Sequence, residues 1–197
     1  MGLFGASKSD IWQKLSVELG GEYLKSWRGD KLQVSHGEWT ITLDTFVVMA
    51  GTTPVVFTRM RAPYVAGSDF RFSITRRNIF RDLAGWLGAQ DIEVGDAEFD
   101  EAFVIKSNNE ARMRQLLADQ RLRDLLKAQR SLSLAVKDDE GWFGAKFPEG
   151  ADELYFAVGG IIKDLDRLKQ LYDLFAETLD QLVRIGSAAP GAPAVTL

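Results

Sequence analysis

In three runs between residues 31 and 75 the side chains on one strand face recur as apolar at every second position. Leu32, Val34 and His36 alternate with Lys31, Gln33 and Ser35, and Trp39, Ile41 and Leu43 alternate with Thr40, Thr42 and Asp44. Further on, Phe70, Phe72 and Ile74 alternate with Arg71, Ser73 and Thr75. Successive side chains of a strand point to opposite faces, so this period gives each strand one apolar face and one polar face. Strands of that kind belong to an antiparallel sheet covered on one side. Gly29-Asp30, His36-Gly37 and Ala50-Gly51 punctuate them as turns. Residues 22–77 therefore predict about five strands in a meander, followed by a short helical or irregular piece near 78–88.

The cover must come from segments with helical period. Ile11, Trp12, Leu15 and Leu19 share one helical face. Ser7 and Asp10 form a capping box in front of them, and Gly20-Gly21 stops the helix. A strand is expected around Phe99, Phe103 and Ile105. Ser107 and Glu110 then open a helix over about 108–129. Its apolar stripe shifts phase between Leu117 and Leu122, so two short helices broken near Asp119 fit equally well. Three more strands follow, at Leu132/Leu134/Val136, at Trp142 to Phe147 and at Leu154/Phe156/Val158. A long helix over about 161–185 ends at Gly186. Its stripe of Leu165, Leu168, Tyr172, Phe175, Leu179 and Leu182, widened by Leu171 and Leu174, suits a helix lying on its own sheet; a dimer or partner helix is the alternative.

The expected fold is α+β: a twisted antiparallel sheet of about eight strands, with N-terminal, central and C-terminal helices mainly on one face. The order helix, strands, helix, strands, helix suggests a degenerate duplication in pattern, without repeated residues. Residues 1–186 read as one domain, and the small, Pro-containing 187–197 as a disordered tail.

Function is narrowed mainly by what is missing. The 197 residues hold no cysteine and a single histidine, His36. No thiolate nucleophile exists, and one imidazole builds no tetrahedral zinc site without several carboxylates. A Ser-His-Asp relay would have to run through His36, which sits at a turn beside Gly37 and reads as a turn histidine with a satisfied hydrogen bond. No Walker or dinucleotide spacing occurs, and Gly159-Gly160 reads as a tight turn, with an anion site at the following helix as its alternative. The longest apolar stretch, Phe46 to Ala50, falls far short of the roughly 20 residues that span a bilayer. The N-terminus carries no export signal, so cytoplasm is the expected compartment.

Charge is unevenly spread. The net charge is −4, yet residues 1–90 hold 11 Lys+Arg against 8 Asp+Glu, and the remainder is acidic. Segment 53–90 contains Arg59, Arg61, Arg71, Arg76, Arg77 and Arg81, with no lysine. Arg forks bind carboxylates and phosphates bidentately. Arg59, Arg61, Arg71, Arg76 and Arg77 are thus the candidate partner-binding residues, the plain alternative being a solvated sheet face. Replacing Arg71 and Arg77 by Glu is expected to leave the fold intact and to abolish partner binding. Nucleic acid is disfavoured, because Phe70 and Phe72 share a face with Ile74 and read as core. The acidic stretch 91–101 (Asp91, Glu93, Asp96, Glu98, Asp100 and Glu101) reads as a solvated loop anchored by Phe99; a divalent-cation site is the alternative, although EF-hand spacing fails.

The DIEVGDAEFDEAFVIKSNNE stretch, the Trp12 helix and ELYFAVGGIIKD together resemble a bacterial protein family of uncharacterised function. The resemblance implies a bacterial, soluble origin and brings no activity, cofactor or catalytic residue. The leading expectation is a non-enzymatic binding or adaptor module whose partner is another protein or a second copy of itself. No cofactor, no metal and no catalytic residue is assigned. The alternatives are a small-molecule or lipid carrier with an aromatic-lined pocket, and a carboxylate-based, metal-dependent enzyme using 91–101.

Overall fold

A computed structural model describes residues 7–27, 29–78, 91–138, 147–191, 193, 195 and 197. The period-two pattern does what it predicts. In β1 (Glu22–Leu24), β2 (Lys31–His36), β3 (Trp39–Ala50), β4 (Thr53–Ala66), β5 (Phe72–Arg76), β6 (Phe103–Ser107), β7 (Ser133–Lys137) and β8 (Ala151–Gly159), each strand pairs antiparallel with its neighbours in the order β1-β2-β3-β4-β8-β7-β5-β6. One transverse row of the sheet reads Leu32, Leu43, Met60, Phe156, Leu134, Ile74 and Ile105, and all seven are buried. The row one residue away reads Gln33, Thr42, Arg61, Tyr155, Ala135, Ser73 and Lys106. A single step along the strands thus switches the whole sheet from core to polar face, which is what fixes its register.

The helices gather on the apolar face. They are α1 (Lys8–Leu19), α2 (Ala97–Ala102), α3 (Glu110–Leu116), α4 (Gln120–Ala128) and α5 (Leu165–Arg184). The fold is α+β, with an open antiparallel sheet. The Ser7–Asp10 capping box forms in both directions. α5 is the central helix, burying Leu168, Leu171, Leu174, Phe175, Leu179 and Leu182 and packing against α1, α3 and α4. Trp12 is fully buried, and its indole N–H donates to the Ile162 carbonyl at 3.3 Å, tying α1 to the entry of α5. Phe70, Phe72, Phe99, Phe103, Phe156 and Phe175 all belong to this one core.

Several expectations are corrected. Phe99 lies on α2, not on a strand, because the Asp96 carboxylate accepts from the Phe99 N–H and starts a helical turn there. Of the two readings of 108–129 the structure takes the two-helix one, broken where the Asp119 carboxylate caps α4. The cap of α3 is Asn109 rather than Ser107. The long helix begins at Leu165, capped by Asp164. The meander covers only β1 to β4, since β5 crosses over to lie between β7 and β6. Residues 79–88 of the piece expected near 78–88, and most of the strand expected from Trp142 to Phe147, lie outside the described residues.

The tail is not loose where it leaves α5. β3 stops pairing with β4 at Arg61, and this leaves the far end of β4 with an open edge. β9 (Ala188–Ala189) fills it, opposite Val65 and Ala66. Arg112 holds the approach by donating to the Ile185 carbonyl and the Ser187 hydroxyl. At the other end Lys31 donates to the Leu197 carbonyl at 2.7 Å. Small residues carry no hydrophobic pattern, and a two-residue strand needs only its backbone groups.

Candidate functional site

β3 and β4, of 12 and 14 residues, are twice the common strand length of about five or six. Their outer halves leave the body of the sheet. The pairing of β2 ends at Leu32 opposite Leu43, and the last contact from the β8 side is the Gly160 N–H on the Val56 carbonyl. Beyond Val47, opposite Val56, the pair runs on as a two-stranded ribbon, reaching about 10 Å to its turn at about 3.3 Å per residue. Gly51, with φ +65°, opens a two-residue turn between Ala50 and Thr53.

Residues 45–58, TFVVMAGTTPVVFT, contain no ionisable side chain. Both faces of the ribbon are apolar. Val47 faces Val56 and Met49 faces Pro54 on one side, while Phe46 faces Phe57 and Val48 faces Val55 on the other. Phe46 and Phe57 stack with centroids 5.3 Å apart. Val47, Val48 and Met49 are 57, 44 and 61% exposed. Isolated exposed apolar residues are ordinary, but three in succession at the end of a projecting ribbon form a patch.

The ribbon is anchored at its base by charge. Asp44 on β3 is 5% exposed and receives both nitrogens of the Arg59 fork at 2.8 Å, together with Arg61 at 2.5 Å. Arg61 is 3% exposed. The Arg59 guanidinium also lies 5.0 Å from the centre of the Phe46 ring. Strand alternation puts Asp44, Arg59 and Arg61 together on the polar face, where cross-strand opposite charges stabilise pairing. They line a cleft of about 400 Å³ with Asp30, Lys31 and Phe46. Sequence reasoning marked the two arginines and missed Asp44, since a carboxylate on the polar phase of a strand reads as solvated. The ribbon itself left a signal in the uncharged run 45–58.

The remaining candidate arginines are not assembled with this pair. Arg71 donates to Asp152 at 2.6 Å, and that carboxylate is 3% exposed. Arg76 donates to the Gln129 and Lys127 carbonyls, fastening β5 to the end of α4. Arg77 donates to Asp91 at 2.9 Å and to the carbonyls of Asp100, Glu101 and Phe103. The arginine segment and the acidic stretch therefore meet within one chain. The expectation that Arg71 and Arg77 can be reversed without harm to the fold is corrected on this ground, because Glu at 71 would face the buried Asp152. Burial pushes the Asp152 carboxyl up to about 6, against the pull of Arg71.

The acidic stretch has structural work. Asp91 accepts from the Ile105 N–H, Asp100 accepts from the Val94 and Gly95 N–H groups, and Asp96 caps α2. Among the described residues no three His, Asp or Glu side chains are placed to hold a metal ion. His36 lies 3.1 Å from Asp180 of α5 and stacks on Trp39, so it links the β2–β3 turn to the helix layer. At Gly159-Gly160 the Gly160 N–H is occupied by Val56, and Thr58 donates to the Gly160 carbonyl at 2.8 Å. Among the described residues no helix is long and apolar enough to cross a membrane. No protein-family model, curated protein or solved structure matches this chain, so its function is read from geometry alone.

Proposed function

We propose that this protein is a non-enzymatic binding module of the bacterial cytoplasm that engages a protein partner through the β3–β4 ribbon. The observation that carries this reading is the uncharged ribbon tip, which projects past its sheet with Val47, Val48 and Met49 in water. Burying such side chains on a partner releases about 25 cal/mol for each Å² of apolar surface. In this reading Arg59 and Arg61 act by holding the ribbon on Asp44. In the cleft at its base both arginines are already held by Asp44, which makes them poor ligands for an anion.

The test compares wild type with a Val47→Lys/Met49→Lys variant in affinity capture from the host lysate, after both are shown to melt cooperatively at the same temperature. Partners recovered by wild type are expected to be lost by the variant. An unchanged recovery profile would remove the ribbon as the docking element.

A further inference from the structure

We infer that the partner of the ribbon is a second copy of this chain, added edge to edge along residues 45–50 of β3. The inference rests on the binding reading above and names its partner.

Three observations select this occupant. The first is the backbone. Residues 45–50 of β3 have no strand partner on their outer edge among the described residues, so that edge offers N–H and C=O groups that a further strand can take up, between apolar side chains. A lipid surface covers the side chains but leaves those groups without partners, whereas a strand satisfies both. The second is the pair of apolar faces. One partner surface lying against a ribbon covers one face, while an added strand continues the pleat and meets both. The third is the absence of charge over 45–58. In a two-fold antiparallel pairing each residue near the axis meets itself or its close neighbour. Any Lys, Arg, Asp or Glu there would stand opposite its own kind, and like charges directly opposite are destabilising. A different partner would ordinarily be steered and selected by complementary charge, for which this segment has no means.

The contact is small. A ribbon tip offers less than the roughly 800 Å² per partner of a standard interface, so the dimer should form only at micromolar concentrations and exchange readily.

The chain has no cysteine, which makes the geometry directly testable. Single Cys substitutions at Thr45, Phe46, Val47, Val48, Met49 and Ala50 are oxidised in otherwise unaltered protein, with Val17→Cys on α1, where Val17 is 82% exposed, as the control. The expected result is a disulfide-linked dimer, with yield greatest at one of the six positions and falling on both sides of it, while Val17→Cys stays monomeric. Sedimentation of the cysteine-free protein should show a concentration-dependent dimer, lost in Val47→Lys/Met49→Lys. Monomeric sedimentation at all concentrations, with crosslinking no better than the control, overturns the inference. If lysate capture still depends on the ribbon in that case, the binding reading stands and the partner is a different protein. If capture is also unchanged, both fail.

Discussion

Removing the Asp44 carboxylate should destabilise the protein far more than an ordinary strand substitution. Asp44 accepts from the Arg61 guanidinium, which is 3% exposed, and it also holds the Arg59 fork. Deleting one member of a buried ion pair leaves the other charge desolvated, which costs about 3–5 kcal/mol. Arg59 can turn to solvent because its side chain is 18% exposed, whereas Arg61, at 4%, cannot. The expected loss for Asp44→Ala is therefore about 3 kcal/mol or more, most of it through Arg61. Urea unfolding at neutral pH measures it. A double-mutant cycle with Arg61→Met separates the causes, because once the cation is gone the cost of losing Asp44 should fall by more than about 1 kcal/mol. An Asp44→Ala cost below about 1 kcal/mol, or two additive substitutions, would refute the view of Asp44 as the hub that fixes the ribbon's base.

Asp152 should give the pH dependence a recognisable sign. Its folded pKa of about 6 lies above the usual 3.8, so its contribution is fully present below about pH 4 and is lost as pH rises through 6, by at most about 3 kcal/mol. Asp152→Asn should therefore gain on wild type in melting temperature between pH 4 and 7, and equal stabilities across that window would contradict it. Arg71→Glu should destabilise measurably in denaturant titration, by setting two carboxylates against each other at a buried position. Asp164→Ala removes the cap of α5 and should cost about 1 kcal/mol, visible as a lower urea midpoint with an unchanged slope. Gly21→Ala should also destabilise in thermal melts, because a Cβ there would lie 2.6 Å from the Gln33 carbonyl oxygen, a backbone atom that cannot easily move aside.

Much of what depends on local period and local capping was legible in the residues, although Phe99 and the Ser107 cap were misread. Alternation placed Leu32, Ile41 and Ile74 inside and put Gln33, Thr40 and Ser73 on the other face, and so settled the α+β class and the face that the helices cover. The Ser7–Asp10 box and the Asp119 break were legible for the same reason, since caps act within three or four residues. Tertiary structure decided which strands are neighbours. The crossover of β5 depends on contacts between segments far apart in the chain, and no local pattern encodes them. It also decided the fate of the arginines. Period alone put Arg59, Arg61 and Arg71 on a polar phase, which looks the same whether the groups face water or a buried carboxylate. Only the folded sheet brings Asp44 beside Arg59 and Arg61, and Asp152 beside Arg71. The ribbon divides between the two. Its lack of charge is written in residues 45–58, but its exposure follows from where β2 and β8 stop pairing, because a run of valines is core or surface according to what lies across from it.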